Sequence, residues 1–320
     1  MSWRNSKSAF EEALLYLKNR QTGVIKSFRT PWLKFDDAGV DGIEWHSTVV
    51  IAGRPGAGKT LIKDQIIREA FTLNPGDDFR VLEFSLEMVG KVTAIREFTS
   101  VLGKSYKHLC SAGGGKITNE ELSKLYTYAK TRVENPVDVI EEACTVDEFV
   151  RIVDTYMETY KGPLGYKKTI ITVDHTLLFK LNGQSEREML VALAAKFTEL
   201  KKKYPIIFIV LSQLKRDVDT PERAEEGKYG NYILDSDIMG SDAMFQHADI
   251  LVGINRPFKQ RIRFYGPDKY IIEDDKTLVF HFLKCRNGDP RMSFFKAEFH
   301  QMKVSEMATP GTKEMRFKGA

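Results

Sequence analysis

The sequence predicts an α/β fold: a doubly wound, mostly parallel sheet with an antiparallel C-terminal extension. The first observation is that near-continuous Val, Ile and Phe runs alternate with helical stretches from Thr48 onward, which is the pattern of strands buried on both faces. The second is that this alternation stops after Ile250, where the apolar runs ILVGINR, TLVFHFLKC and SFFKAEFH follow without intervening helices. These last runs predict antiparallel strands added to the sheet.

The elements are expected in a regular order along the chain. The apolar strands of the alternating part are TVVIAG, RVLEFSLE, VDVIEEA, TIITVDH and IIFIVLSQL. Helices are expected at 59–73, 89–101, 118–133, 146–160 and 186–204. Apolar strands placed between such helices are what a parallel sheet covered on both faces requires.

Both ends of the chain differ from this central part. Residues 8–20, SAFEEALLYLKNR, carry apolar side chains at helical spacing, with glutamates early and basic residues late, which favours a short amphipathic helix. Its apolar face packs either on its own domain or on a neighbouring subunit. The last stretch, residues 303–320, is polar and is expected to be a loosely ordered C-terminal tail.

Composition narrows the class of protein. The chain has 320 residues, of which 42% are hydrophobic, enough for a large buried core. A net charge of +4 with dispersed charges permits a polyanionic partner without requiring one. Cys110, Cys144 and Cys285 are widely separated and lack CxxC spacing, which favours reduced thiols in the cytoplasm over disulfides or zinc. The sequence has no export signal and no membrane-spanning apolar run, so no membrane association is expected.

The strongest motif is GRPGAGKT, which matches G-x-x-x-x-G-K-[ST] between a predicted strand and a predicted helix. In such a loop the backbone N–H groups converge on phosphates, a lysine, here Lys59, neutralises the β- and γ-phosphates, and a hydroxyl, here Thr60, is a ligand of Mg²⁺. The expected nucleotide-binding residues are Gly53, Arg54, Pro55, Gly56, Ala57, Gly58, Lys59, Thr60 and Leu61. A chance glycine-rich turn is the alternative.

Three further strand ends carry polar groups that suit a magnesium–nucleotide site. Asp174, at the carboxyl end of the apolar strand in TIITVDH, is a candidate second magnesium ligand. Glu87, in EFSLEM, is a candidate base that orients the attacking water, on a strand expected beside the P-loop strand; a glutamate complementing a helix dipole is the alternative. Gln213, in VLSQLKR, can hydrogen-bond a γ-phosphate or a water, although a buried glutamine at a strand end is otherwise structural.

The stretch FLKCRNGDP places Lys284 and Arg286 on one face of a strand. A solvated edge strand is one interpretation. The other is that the two cations stabilise charge on a transferring phosphoryl group, for which arginine fingers are a known device.

Together, the stretches GRPGAGKT, EFSLEM, TVDHTLLF, VLSQLKR and LKCRNG resemble the successive motifs of the DnaB-like replicative helicases, in matching order across residues 22–299. The resemblance implies a RecA-like P-loop NTPase preceded by a linker helix, with residues 1–22 as that helix and 23–302 as the RecA-like ATPase and helicase domain. It also implies ATP and Mg²⁺ as cofactors. The implied roles are Walker A for Lys59 and Thr60, catalytic base for Glu87, Walker B for Asp174, γ-phosphate sensor for Gln213, and lysine and arginine fingers for Lys284 and Arg286.

The resemblance further implies a homohexameric, ATP-dependent DNA helicase that pulls single-stranded DNA through its ring with 5′-to-3′ polarity. Each finger pair would enter the neighbouring subunit's ATP site, and the linker helix would dock on the adjacent subunit. A primase and a helicase loader are further candidate partners. The 320 residues do not contain the family's separate N-terminal helical domain, which favours a phage or plasmid version acting in the cytoplasm, the host's if phage-encoded.

The loop after the SQL motif is where the resemblance implies contact with the DNA backbone. Met239 and Gly240 stand where relatives commonly have a basic and an acidic residue, so backbone N–H groups there are candidates for holding phosphates. The candidate DNA-binding residues are Lys215, Arg216, Arg223, Lys228, Met239, Gly240 and Ser241. A solvated loop is the alternative, because acidic residues intervene. The basic and aromatic stretch PFKQRIRFYGPDKY suits base stacking or forms an exposed hairpin.

Two other functions remain open on the sequence. One is a RecA- or KaiC-like assembly ATPase that binds DNA or protein without unwinding, against which the KCRNG stretch and the first helix argue. The other is a regulatory or structural ring subunit with weak DNA affinity, which Met239 and Gly240 suggest. Strand displacement on a forked duplex separates these functions.

Overall fold

The structure, a computed structural model, describes residues 6–113, 115–224, 232–239 and 241–313. Its helices are α1 Ser6–Gln21, α2 Leu33–Asp36, α3 Lys59–Leu73, α4 Gly90–Leu102, α5 Tyr106–Cys110, α6 Asn119–Glu134, α7 Val146–Thr159, α8 Glu186–Lys203, α9 Pro221–Ala224 and α10 Ser241–His247. Its strands are β1 Ser47–Gly53, β2 Phe79–Ser85, β3 Val137–Ile140, β4 Lys168–Asp174, β5 Ile206–Gln213, β6 Ile250–Asn255, β7 Phe264–Tyr265, β8 Tyr270–Ile271, β9 Thr277–Cys285, β10 Arg291–Glu298 and β11 Lys303–Glu306.

Nine of the described strands form one sheet in the order β11-β10-β9-β6-β1-β5-β4-β2-β3. The six strands from β6 to β3 are parallel, whereas β9, β10 and β11 are antiparallel additions. The predicted doubly wound sheet with an antiparallel C-terminal extension is confirmed. The extension begins one strand later than expected, since ILVGINR forms β6 and is parallel to β1.

The six parallel strands give the sheet two different edges. Their carboxyl ends meet at one edge, which we call the carboxyl edge, and their amino ends meet at the other, the amino edge. Because β9 runs antiparallel to β6, its last residues lie at the amino edge. Ligands of doubly wound sheets bind at the carboxyl edge, so this distinction decides which residues can share a site.

The core consists of one apolar layer on each face of the sheet. Alternate residues of β1 point to opposite faces, so that Val50 belongs to one layer and Ile51 to the other. Helices α7 and α8 cover the first layer, where Phe149 packs against Phe197. Helix α3 and the connector containing Trp32 cover the second. Burial on both faces explains why the strand sequences are continuously apolar.

Two further sequence-based expectations about the sheet were wrong. The strand that leads to Glu87 does not lie beside the P-loop strand, because β5 and β4 stand between β1 and β2. The C-terminal stretch from Lys303 is not uniformly loose, since Lys303–Glu306 is strand β11, paired with β10. Val304 fixes this strand: its carbonyl oxygen accepts hydrogen bonds from the Trp32 indole and the Gln65 amide at 3.0 and 3.1 Å. Residues 314–320 lie outside the described residues.

Helix α1 has no buried residue. Its apolar face is open, with Phe10 73% and Leu14 68% exposed. Its C-terminal half is tied to the domain, where the Tyr16 hydroxyl donates to Glu44 at 2.7 Å and Arg20 donates to the carbonyl oxygen of Val40 at 3.0 Å. Within the described residues, the apolar face of α1 is therefore not buried against its own domain.

The stretch PFKQRIRFYGPDKY begins with the 3-10 turn Pro257–Gln260 and continues into the short hairpin of β7 and β8. Tyr265 is not free for stacking, because it is fully buried and its hydroxyl contacts the His281 ring at 2.6 Å, whereas Phe258 is 42% exposed. In the described parts of the chain, no helix is long and apolar enough to cross a membrane.

Candidate nucleotide-binding site

The glycine-rich loop between β1 and α3 has the backbone of a phosphate cradle. Gly56 and Gly58 have φ angles of +75° and +102°, a region that other residues rarely adopt. The N–H of Ala57 donates to the carbonyl oxygen of Arg54 at 3.0 Å, so the loop curls back on itself. The first N–H groups of a helix such as α3 lack helical partners and bind anions. The loop can therefore hold the phosphates of a nucleotide.

Lys59 lies folded against this loop. Its Nζ donates to the carbonyl oxygens of Gly53 at 2.8 Å and Arg54 at 3.3 Å. Burial lowers the pKa of Lys59, and the nearby carboxylates of Asp174 and Glu87 partly oppose that change. An anion in the loop would favour the charged form of this lysine, which is what binding a phosphate requires.

Asp174 ends β4 close to the start of α3. It is only 2% exposed, and burial raises the pKa of its carboxyl, whereas Lys63 and a hydrogen bond from Thr60 lower it. Mg²⁺ in nucleotide sites takes one or two protein oxygens and completes its shell with phosphates and water. The Thr60 hydroxyl and the Asp174 carboxylate, already in contact, fit such an ion. Among the described residues no cluster of three or more His, Cys, Asp or Glu side chains could hold a metal by itself.

A buried ionic cluster lies behind Asp174. Lys63, with 1% of its side chain exposed, contacts Asp64 at 2.8 Å, Glu83 at 3.1 Å and Asp174 at 3.9 Å. Burial lowers the pKa of Lys63, but the three carboxylates outweigh that effect and raise it above its ordinary value. Lys63 is therefore charged, and it favours the ionised form of Asp174 that a metal ligand must have.

Glu87 lies at the same carboxyl edge, two residues after β2. The N–H of Leu86 donates to the carbonyl oxygen of Asp174 at 3.1 Å, which joins the two strand ends. Glu87 itself is exposed, and its charge raises the pKa of Lys59 and of Asp174. An exposed carboxylate this close to the loop can accept a proton from a water molecule placed between them.

Gln213 ends β5 in register with Gly53, the first residue of the loop. Its carbonyl oxygen accepts a hydrogen bond from the N–H of Met239 at 2.9 Å, and the next residue, Leu214, forms a bridge with Ile238. The returning end of the expected DNA loop is thus attached to the strand beside the P-loop.

Two of the candidate DNA-binding residues are tied within their own loop. Lys215 Nζ donates to the carbonyl oxygen of Ser236 at 2.7 Å. Arg223 makes two hydrogen bonds to the carboxylate of Asp237, at 2.6 and 2.9 Å. These contacts join the two ends of the loop and leave less of each cation available to phosphates.

The other candidates differ in how far the structure describes them. Arg216 is exposed, in the turn that follows β5. Met239 is half-buried, and its N–H is used by Gln213. Lys228 and Gly240 lie outside the described residues, and for Ser241 only its place at the start of α10 is described.

The two candidate finger residues lie at the amino edge, away from the P-loop of their own chain. At that edge Cys285 pairs with Ile250, the first residue of β6. At the other end of β6, Ile254 is in register with Gly53 of the P-loop. Four residues at about 3.3 Å each separate these positions, so Arg286 lies more than about 13 Å from its own P-loop. It cannot reach a nucleotide bound there by the same chain.

Asp249 holds the candidate finger residue Arg286 at the amino edge. Its carboxylate pairs with Arg286 at 3.0 Å and also with Lys201. Lys284 Nζ donates to the carbonyl oxygens of Phe245 and Gln246, at the end of α10. Burial and the charge of Arg286 both lower the pKa of Lys284.

Several site residues were not found from the sequence. Asp249 and the Lys63 cluster depend on partners far apart along the chain. His175, which follows Asp174, accepts a hydrogen bond from the N–H of Leu177 at 3.2 Å, and burial lowers its pKa. Lys259 rests on the P-loop carbonyl oxygen of Pro55 at 3.0 Å. Sequence motifs do not identify single residues of this kind. The basic stretch around Lys259 is the one sequence signal that points to its place in the nucleotide site.

Fold and site together define a class of protein. A glycine-rich loop follows the central strand, an aspartate ends a strand of the same parallel sheet, and antiparallel strands extend one side, which is a RecA-like P-loop NTPase. The model of the family described as DnaB-like helicase C terminal domain matches residues 28–303. The chain belongs to this family, and the resemblance seen in the motifs is confirmed.

Curated relatives include the replicative DNA helicase DnaB of Mycoplasma genitalium, 27% identical over 87% of this chain and 56% of that protein. The Helicobacter pylori protein of the same name is 24% identical over 82% of this chain and 51% of its own length. The chain therefore spans about half the length of these relatives.

Solved structures show the same fold. One of them, a solved ATPase domain, superposes with a TM-score of 0.76 at 17% identity, covering 93% of this chain and 98% of that one. A DnaB-like replicative helicase, solved to describe its interactions with primase, gives a TM-score of 0.73 at 16% identity over 93% of this chain and 66% of that one.

Proposed function

We propose that the chain acts as an ATP-dependent replicative DNA helicase, a ring-forming translocase on single-stranded DNA. One observation carries the proposal. The phosphate-binding residues lie at the carboxyl edge of the sheet, whereas the finger pair lies at the amino edge, more than about 13 Å away. One chain therefore holds two halves of different ATP sites, and a closed set of copies completes every site.

The proposed chemistry assigns each residue one task. Lys59 binds the β- and γ-phosphates, and Thr60 and Asp174 hold Mg²⁺, which neutralises charge on the phosphate oxygens when bound. Glu87 orients the attacking water and accepts its proton. Gln213 hydrogen-bonds the γ-phosphate and changes partner after hydrolysis. Arg286 of the adjacent copy stabilises the charge that develops on the transferred phosphoryl group.

The proposed assembly is a homohexamer. Helix α1 presents Phe10 and Leu14 to solvent, and apolar faces of this kind mark interaction surfaces. We propose that α1 docks on the adjacent copy. A receiving surface is available on α6, where Tyr126 and Val133 are 75% and 78% exposed. By likeness to the relative studied with primase, a primase is a proposed partner too, and a helicase loader is proposed from the family resemblance.

The proposed DNA contacts come from the loop between β5 and β6. Arg216, which is exposed, and the backbone around Met239 and Ser241 are the candidates for holding phosphates. The hydrogen bond between Gln213 and Met239 supports a coupling in which the sensor residue moves the DNA loop as the nucleotide changes. Lys215 and Arg223 are proposed mainly to hold the loop together.

The test is strand displacement on a forked duplex with ATP and Mg²⁺, alongside mass measurements with and without nucleotide. The proposal expects displacement, a particle of six copies, and no displacement when EDTA removes Mg²⁺. Forks with only a 5′ or only a 3′ single-stranded arm test the proposed 5′-to-3′ polarity. ATP hydrolysis without displacement on any fork would contradict the helicase function and favour an assembly ATPase.

A further inference from the structure

A second lysine of the same chain lies on the P-loop. The Nζ of Lys259 donates to the carbonyl oxygen of Pro55 at 3.0 Å. A Cβ atom placed on Gly56 would be only 2.5 Å from that Nζ, so the ammonium sits directly against the middle of the loop. Lys259 belongs to the 3-10 turn Pro257–Gln260, which follows β6 at the carboxyl edge. None of the five stretches that carry the family resemblance contains this lysine.

The turn that carries Lys259 is fixed to the P-loop by its neighbour. Gln260 Nε2 donates to Asp219 at 2.7 Å, and the other carboxylate oxygen of Asp219 accepts from Arg54 Nε at 2.5 Å. Arg54 in turn donates to the carbonyl oxygen of Leu214 at 3.1 Å. This chain of bonds joins the turn, the P-loop and the segment after β5.

The other side of the turn is fixed as well. Arg256, just before it, donates to the backbone carbonyl of Asp275 at 2.9 Å and stacks on the ring of Phe299 at 4.0 Å. That ring lies against Gly58, where an added Cβ would be 3.2 Å from it. The backbone of Lys259 is thus held in place beside the loop, while its side chain is exposed.

Within the described residues, the hydrogen-bond partner of the Lys259 ammonium is a neutral group. Its contact is a backbone carbonyl, and within the described parts of the chain no acidic side chain forms an ion pair with it. Charge-assisted hydrogen bonds to anionic oxygens are about twice as strong as bonds between neutral groups. A lysine resting on a carbonyl beside an anion-binding loop is therefore placed to exchange that carbonyl for a phosphate.

We propose that Lys259 is a second phosphate-binding cation in the same chain, which moves from the Pro55 carbonyl to the phosphate chain of the nucleotide in the P-loop. Gln260 and Asp219 are positioning residues that hold the turn in reach. The proposal rests on the proposed ATP-binding function. It deepens that function by adding a cation that acts within one chain, in contrast to the finger pair.

The experiment compares binding of MgADP and a magnesium-bound non-hydrolysable ATP analogue to full-length variants by calorimetry at two or more salt concentrations. Lys259→Ala is expected to weaken both by about 5- to 30-fold and to reduce their salt dependence. Lys259→Arg keeps the charge and is expected to stay within about threefold of wild type. Lys202→Ala removes an exposed lysine near the end of α8, at the amino edge, and is the matched control with no expected change.

Gln260→Ala tests whether Gln260 acts by positioning Lys259 or only by stabilising the turn. It is expected to weaken binding less than Lys259→Ala, and the double variant is expected to bind no more weakly than Lys259→Ala alone, because both changes remove one interaction. Unchanged or tighter binding by Lys259→Ala would overturn the proposal. Failure of the wild-type protein to bind either nucleotide would instead overturn the proposed function itself.

Discussion

Two cations at opposite edges of the sheet are held in opposite ways. Behind Asp174, at the carboxyl edge, the side chain of Lys63 is 1% exposed and contacts three carboxylates, including that of Asp174. At the amino edge, the side chain of Arg286 is 55% exposed and pairs with the carboxylate of Asp249. The first arrangement suits a preorganised site, and the second suits a group that exchanges its resting partner for one on another molecule.

This difference fits the proposal that a second copy completes each ATP site. Preorganised dipoles and charges stabilise a transition state best when they need not reorganise, which the carboxyl edge provides. An arginine finger supplied by another subunit adds its charge only when that subunit is in place. Hydrolysis would then depend on ring assembly.

Loss of Lys59, the P-loop lysine at the carboxyl edge, has the largest expected effect on nucleotide binding and ATP hydrolysis. Lys59→Ala removes the ammonium that faces the phosphates, so both nucleotide binding and ATP hydrolysis are expected to fall, the latter by about 10³-fold or more. Calorimetry with MgADP and a phosphate-release assay measure the two losses. Lys202→Ala serves as the control for charge. Turnover near the wild-type rate in Lys59→Ala would remove the P-loop assignment.

Loss of Arg286 at the amino edge is expected to lower the rate of ATP hydrolysis without weakening nucleotide binding. Arg286→Ala should lower kcat by about 10³-fold while MgADP binding stays within about threefold of wild type, since Arg286 is remote from its own P-loop. The same two assays apply. A parallel loss of nucleotide affinity in the isolated chain would contradict the separation of the two edges.

Asp249→Ala tests what holds the amino edge together. The substitution leaves Lys201, which is 8% exposed, without its carboxylate and removes the acceptor of the Thr48 N–H at 2.8 Å. We expect the free energy of unfolding to fall by about 2 kcal/mol, as measured by urea denaturation. Arg286→Ala, whose side chain is half exposed, should change it by less than about 0.5 kcal/mol. Equal effects of the two variants would mean that the edge is not organised around Asp249.

The smallest expected effect is that of Lys284 on the pH dependence of ATP hydrolysis. Burial and Arg286 lower the pKa of Lys284, so its charged form is lost, as pH rises, below the ordinary lysine pKa of about 10.4. If Lys284 acts as a charged finger, hydrolysis by the ring declines on the alkaline side. Lys284→Arg should shift that decline to higher pH, because arginine stays protonated. If hydrolysis by the wild type and by Lys284→Arg declined at the same alkaline pH, the protonation of Lys284 would not be required for hydrolysis.

Local features of the fold could be predicted from the sequence, and partnerships across the chain could not. Helix 59–73 was predicted with both ends correct, because a glycine loop sets its start and the apolar repeat its length. The prediction that β2 lies beside β1 was wrong, because strand order depends on contacts between strands that no single strand sequence encodes. Strand β11 was missed because Val304 is fixed by Trp32, 272 positions earlier in the chain.

The residues of the candidate site also fall into a group that the sequence predicts and a group that it does not. Lys59, Asp174 and Gln213 stand in short motifs whose spacing follows from phosphate and metal geometry, and the structure brings them to one edge. Asp249 and Lys259 belong to no such motif. Their roles appear only when β6 and its flanking turns are placed beside β1.

Subunit mixing tests the central claim most directly. Arg286→Ala subunits keep an intact P-loop, whereas Glu87→Gln subunits lack the proposed base but keep the proposed finger pair at the opposite edge. If the two halves meet between copies, mixtures of these inactive variants should regain hydrolysis, with a maximum near equal proportions. Each variant mixed with itself and with wild type provides the baseline. Mixtures that never exceed the single variants, in rings shown by mass to contain both, would contradict a site shared between subunits.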